Sequence, residues 1–188
     1  MPTVSLPKIS SAKKASLEKH GLEIIESISV AAFEKAVINY LSRHNVLHLA
    51  TCRDNIPRST TVEYFNAGLT VHLLSEGGLK LVNMQANPQV SYTVAGPYDS
   101  TKDYFGAAGL QVWGTASLFR KNDDPERFAA VCAHAQLDDG LEEQGLAQQA
   151  ALVNFTVTTI APLRIHYLNY REGFRRAVWE KNVKATEA

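Results

Sequence analysis

Residues 46–73 read VLHLATCRDNIPRSTTVEYFNAGLTVHL. At the start Leu47, Leu49 and Thr51 alternate with Val46, His48 and Ala50, and the run is apolar enough for a buried strand. Asp54-Asn55-Ile56-Pro57 carries turn residues. Arg58 to Phe65 follows as a β-prone set of hydroxyl-bearing and branched side chains. Asn66-Ala67-Gly68 is a short hairpin turn, after which Leu69, Val71 and Leu73 face one way and Thr70 and His72 the other. Three strands joined by such turns are expected to be antiparallel neighbours.

The same pattern extends outward. Upstream, residues 1–28 are polar and Ser/Lys-rich at first, with a loose helical segment from Leu17 to Ile28 that Gly21 weakens; they are expected to be an N-terminal arm. From Ser29 to His44, Phe33, Val37, Leu41 and His44 share one helical face. Downstream, Ser75-Glu76-Gly77-Gly78 leads into a short helix, Leu79 to Ala86, with Leu79, Val82 and Ala86 expected inward and Asn87-Pro88 ending it. Val90, Tyr92 and Val94 alternate with Ser91 and Thr93 in a fourth strand. Gly96 to Gly109 is a long loop, and long loops are functional suspects. In the fifth strand Leu110, Val112, Gly114, Ala116 and Leu118 oppose Gln111, Trp113, Thr115, Ser117 and Phe119. Asp124-Pro125 starts a helix with a buried stripe of Phe128, Val131, Cys132 and Ala135, and Asp138-Asp139-Gly140 ends it. Two strands, Leu152 to Ile160 and Leu163 to Leu168, meet at Ala161-Pro162, and a basic tail follows. About seven hairpin-linked strands with helices at the connections predict a mainly β, α+β domain, a small antiparallel barrel over residues 29–170 with 171–188 as its tail.

Composition narrows the function. The 188 residues hold 19 Lys and Arg against 19 Asp and Glu. That balance does not suit a general nucleic-acid binder, and an anionic ligand must be held by a local group of cations. No apolar run has the ~20 residues of a membrane helix, and the N-terminus lacks the apolar segment of a signal peptide. Cys52 and Cys132 form no CxxC pair and read as thiols of a reducing, cytoplasmic compartment. There is no Cys/His cluster, no HxxxH on one helix, no nucleophile elbow, no Walker loop and no GxGxxG. No metal is expected, and hard chemistry would fall to a bound cofactor.

Three segments are candidate ligand contacts. Ser75-Glu76-Gly77-Gly78-Leu79-Lys80 places two glycines and a lysine at a helix start, where free N–H groups and the dipole favour an anion. Pro57-Arg58-Ser59-Thr60-Thr61-Val62 offers one cation and three hydroxyls on a strand. Gln111 and Trp113 pair an amide with an indole on one strand face, as a stacking platform or a subunit contact would.

The order of these segments resembles one family. NVLHLATCRDNIPRSTTVEYFNAGLTVHLLSEGGLKLVNMQANPQVSYTV followed by LQVWGTASLF is similar to the pyridoxamine 5′-phosphate oxidase-like FMN-binding split barrels, over about residues 33 to 120. The resemblance implies a split β-barrel of six to seven strands, a homodimer, and FMN held between the subunits. It implies that Arg58, Ser59, Thr60, Thr61 and Val62 line the flavin edge, with Arg58 near the phosphate. Leu74 and Ser75 would lie beside the ribityl chain or ring, and Leu79 and Lys80 at the phosphate. Gln111 and Trp113 would close the site from the partner subunit. Two departures stand out. Leu79-Lys80 occupies the place of a paired Arg-Lys, and Arg164-Ile165-His166-Tyr167-Leu168 stands where the oxidases have a signature resembling Arg-Leu-His-Asp-Arg. The second departure argues against pyridoxamine phosphate as substrate. Arg171, Arg175 and Arg176, with Trp179, are a candidate replacement for the missing charge or a cover over the site.

The expected function is an FMN-dependent oxidoreductase acting on a small molecule. Tyr98, Tyr104 and Phe105 of the long loop are expected to cover the substrate. A flavin-binding protein without turnover, or a relative that takes a deazaflavin or haem, is the alternative; His166 is then the candidate axial ligand.

Overall fold

A serine hydroxyl sets the first long helix. Ser29 Oγ accepts from the Ala32 N–H at 3.2 Å, so α2 (Val30–Ser42) begins there and buries Phe33, Val37, Tyr40 and Leu41. An earlier helix, α1 (Ser11–Glu18), is capped in the same way by Ser10. In this computed structural model residues 1–135, 142, 143, 145 and 147–182 are described. The expected helix stop at Asp138-Asp139-Gly140 lies outside them. So do the last six residues of the tail.

The decisive stretch folds as β2 (Val46–Arg53) and β3 (Ile56–Glu63), antiparallel across a two-residue turn. Both turn residues, Asp54 and Asn55, have positive φ, 53° and 60°, as the tight turn that matches strand twist requires. The third strand does not lie where the turns suggested. After β3 the chain crosses into β4 (Phe65–Ala67), and β5 (Thr70–Ser75) pairs with β4 and with β8, not with β3. The Tyr64 N–H, bonded to Asn45 O at 2.8 Å, ends the β2–β3 ladder and sends the chain over the core.

α3 (Leu79–Ala86) forms where expected but faces the other way. It buries Leu81, Asn83 and Met84, while Leu79 and Val82 are 56% and 39% exposed and Ala86 is exposed too. Apolar residues stand on both faces of this helix, so periodicity alone does not choose between them. The choice is made by Asn83, whose amide donates to the buried Thr51 hydroxyl at 3.1 Å.

The remaining strands are β6 (Gln89–Ala95), β7 (Ala108–Arg120), β8 (Thr156–Asn169) and β9 (Phe174–Glu180), with β1 (Thr3–Ser5) at the edge. The order is β1-β9-β8-β7-β6-β2-β3, with β5 joining beside β8. β8 is where the sheet splits: Thr156–Ile160 pairs with β5 and Arg164–Asn169 with β9. Among the described residues no ladder joins β3 to β5, so the barrel is open there. Leu47, Leu49, Tyr92, Val112, Ile160 and Ile165 fill its interior against α2.

Three further expectations are corrected. Residues 152–168 are not two strands: Leu152 ends α5 (Ala147–Leu152), and Ala161-Pro162 lies inside β8. A bulge opposite Trp113 and Gly114 absorbs the extra residue, and Gly114 permits it, since a Cβ there would stand 2.6 Å from Ala161 O. The tail does not stand apart from the barrel domain. After a turn at Tyr170–Glu172 it becomes β9, with Phe174, Ala177 and Trp179 buried and the Trp179 indole N–H bonded to Glu34 at 2.8 Å. The helical segment near the N-terminus is Ser11–Glu18, not Leu17–Ile28, and β1 ahead of it adds to β9. α4 (Pro125–Ala135) keeps its expected cap, the Asp124 carboxylate accepting from the Arg127 N–H at 3.1 Å. Among the described residues no helix is long and apolar enough to cross a membrane.

Candidate functional site

The candidate contacts fall into two groups on different surfaces of one chain. The first gathers at the open edge. β3 alternates across the sheet: Arg58, Thr60 and Val62 pair with Thr51, Leu49 and Leu47 and share their core-side face, whereas Ser59 and Thr61 lie on the outer face opposite Ala50 and His48. Arg58 is exposed at this edge. Its neighbour Thr51 holds Asn83, and Lys80 lies one helical turn before Asn83. Arg58 and Lys80 are therefore brought to the same end of the sheet. Leu74, half-buried, and Ser75, buried, complete β5 just before the glycines.

The start of α3 is the least satisfied helix end of this region. Its cap is Gly78 at φ 107°, a conformation closed to most residues, and no side chain bonds its first N–H groups. A Cβ on Gly77 would meet nothing within 4 Å, so the space before the helix is open. The Lys80 ammonium donates to Gly77 O at 3.0 Å. On β3 the Thr60 hydroxyl is buried without a hydrogen-bond partner, and such an orphan costs about 1–3 kcal/mol unless a ligand or water completes it. Uncapped N–H groups, two cations and an unpaired hydroxyl form a donor set suited to an anion with a polar stem.

The second group lies on the outer face. Cross-strand register places Thr61, His48, Thr93, Gln111, His166 and Val178 in one row over β3, β2, β6, β7, β8 and β9. The His48 ring bonds Thr61 Oγ at 3.0 Å within it. A second row sets Trp113 beside Arg164. The His166 ring meets Trp113 edge-on at 4.8 Å, and the Arg164 guanidinium lies over the same indole at 5.8 Å while pairing with Glu180 at 3.1 Å. Burial pushes the His166 imidazole below its ordinary range, Arg164 adds to this, and Glu180 opposes it. His166 Nε2 is buried with no partner.

A groove of about 810 Å³ runs between this face and the loop before β7. The loop is held at several points. Arg171 forms a two-pronged pair with Asp103 at 2.9 and 2.6 Å, Phe105 packs on His20 and Tyr170, and the Tyr98 hydroxyl donates to Tyr104 O at 3.2 Å. The pair with Arg171 holds the Asp103 carboxyl below the usual range.

Gln111 stands three strand spacings from β3, roughly 14 Å, and faces away from Arg58 and Thr60. A single chain does not bring the two groups together. Sequence reasoning named Arg176, with Arg171 and Arg175, as a replacement for a missing phosphate charge or a cover over the site; the structure puts it on the groove wall. The signal that could have found it is the alternation of β9, where Ala177 and Trp179 are buried and Arg176 and Val178 face outward.

Residues 33–169, well over half of the chain, match the family described as Pyridoxamine 5′-phosphate oxidase. None of the curated proteins matches. Among solved structures, a conserved hypothetical protein of Mycobacterium tuberculosis is 18% identical with a TM-score of 0.60, covering 88% of this chain and 99% of its own. An FAD-binding protein of Mesorhizobium loti is 16% identical with a TM-score of 0.53, covering 82% and 96%. HutZ, the haem storage protein of Vibrio cholerae, is 23% identical with a TM-score of 0.53, covering 69% and 89%. These likenesses show a shared fold, two of the three proteins being named for different ligands. The split antiparallel sheet and the match through β8 together establish that this chain belongs to the pyridoxamine 5′-phosphate oxidase family.

Proposed function

We propose that the protein is a cytoplasmic homodimeric flavoprotein that binds FMN and acts as an oxidoreductase on a small molecule. The observation that carries this reading is the start of α3, where uncapped N–H groups and Lys80 lie at the same end of the sheet as Arg58, with the unpartnered Thr60 hydroxyl two residues along β3. FMN ends in one phosphate on a polar ribityl chain, the pattern these groups complement. Lys80 and the α3 N–H groups would hold the phosphate with Arg58 beside them, and Thr60, Leu74 and Ser75 would follow the ribityl chain. Because Gln111 and Trp113 lie on another surface, they would reach that flavin only from a second copy, which supports the homodimer. When bound, FMN supplies a ring nitrogen that accepts or donates a hydride. The chain's own part is to bind, orient and exclude water.

The unpartnered His166 Nε2 favours one second reading, haem with His166 as axial ligand. The absorption spectrum of the purified protein separates the two: flavin bands support FMN, and a sharp Soret band supports haem. Titration with FMN then tests the phosphate site. Lys80→Ala is expected to weaken FMN by about tenfold or more, the scale of a hydrogen bond to a charged group. Unchanged affinity would remove Lys80 from the site.

A further inference from the structure

The groove on the outer face has a chemistry of its own. Its walls are mostly apolar, with Leu168 and Val178 on the sheet and Tyr98 on the loop, and Thr93, Gln111 and His166 provide its polar floor. No carboxylate lines it, and its one cation is Arg176. Arg43 pairs with Glu172, Arg164 with Glu180 and Arg171 with Asp103, whereas Arg175, next to Arg176 on β9, has its Nε buried without a partner and does not line the groove. Arg176 has no hydrogen bond or ion pair among the described residues.

The backbone explains how Arg176 comes to be there. Asn169 pairs with Phe174 and Tyr167 with Ala177, so β9 carries one residue more than β8 between those pairs. The bulge takes Arg176 into the left-handed region at φ 52°, at a cost of roughly 1–2 kcal/mol for a residue with a Cβ. Strain of this kind is retained where it aims a side chain at a ligand. Alternation with the buried Ala177 and Trp179 sets Arg176 on the outer face with Val178, and the extra residue lets Phe174 return to the core.

We propose that the groove binds a small monocarboxylate with an apolar body, with Arg176 pairing its anion and Gln111 and His166 meeting its polar edge. The identification of that acid as the molecule that reacts rests on the flavin reading, since Gln111 also belongs to the candidate flavin set; the binding itself does not. The volume lies within the range of pockets that enclose small ligands. A lone cation among apolar walls selects a single negative charge on an apolar body. Burial pushes His166 below its ordinary range, so it does not add a second cation near pH 7.

The test is calorimetric titration with 1-naphthoate and with its neutral counterpart 1-naphthamide, on protein before and after saturation with FMN. Arg176→Asn removes the charge at a residue type that tolerates the left-handed backbone, and Arg176→Lys keeps it. Naphthoate is expected to bind the wild type, to weaken by about tenfold or more in Arg176→Asn, and to be largely restored in Arg176→Lys. Naphthamide is expected to bind both variants equally, and FMN affinity is expected to be unchanged in Arg176→Asn. Equal naphthoate affinity in wild type and Arg176→Asn overturns the proposal, as does a wild type that binds no naphthoate. Loss of FMN together with naphthoate also overturns it, because Arg176 then serves the cofactor. Arg176-dependent naphthoate binding by protein that takes no FMN upholds the groove and removes the flavin reading instead.

Discussion

The open edge at α3 and the groove on the outer face hold their polar groups by different means. At the edge, local backbone geometry does the work: a glycine cap at positive φ, a first helical turn without side-chain partners, and a lysine in that turn. On the outer face no local segment makes the site. Thr93, Gln111, His166 and Val178 are far apart in sequence and meet through strand register, and Arg176 joins them from the Val178 face of β9, beside a bulge. A site made by local geometry survives changes elsewhere in the sheet, whereas a site made by register depends on every ladder beneath it.

Breaking the register should have the largest effect. Gly114→Val puts a side chain where even a Cβ would stand 2.6 Å from Ala161 O and 2.9 Å from Ile160 Cγ2. Expected is a loss of about 3 kcal/mol, read by denaturant unfolding, with the groove disturbed before the α3 start. Asn83→Ala is the counterpart at the edge. It leaves the buried Thr51 hydroxyl without its partner and should cost about 1–3 kcal/mol, with FMN affinity falling and naphthoate binding unchanged.

Acid sharpens the comparison further. Burial pushes His166 on the outer face and His72 on β5 below the ordinary imidazole range. As pH falls through about 6.5 the unfolded chain takes up protons that these folded imidazoles refuse, so stability drops until the folded groups also protonate. Unfolding midpoints measured from pH 7.5 down to ~5 should show this slope. His72→Asn and His166→Asn should each flatten it, and the double variant should flatten it most. Arg171→Ala should matter least for stability, since its pair with Asp103 is exposed and screened by solvent; the unfolding midpoint is expected to move least of all these variants. Hydrogen exchange in residues 98–106 should nevertheless quicken, because that pair fastens the loop.

The same contrast explains what could be read in advance. α2, the β2–β3 hairpin and the core face of β7 follow from periodicity and turn residues that act over a few positions. The lysine at the α3 start was visible for the same reason. The partner of β5, the burial of Trp179 in β9 and the passage of Pro162 through β8 depend on contacts between distant segments. The inward face of α3 was misread because apolar residues stand on both faces: Leu81 and Met84 are buried with Asn83, while Leu79 and Val82 are exposed. Gln111 and Trp113 were correctly placed on the strand face away from the core, but their distance from β3 appears only in the sheet order.

That distance makes complementation the most direct measurement. Lys80→Ala and Trp113→Ala are each expected to lose tight FMN binding alone. Co-expressed, the two variants should regain about a quarter of the wild-type sites, because half of randomly paired dimers are mixed and each mixed dimer has one intact site of two. Recovery of that fraction is what a flavin held between subunits predicts, and no recovery from two stably folded variants would contradict it.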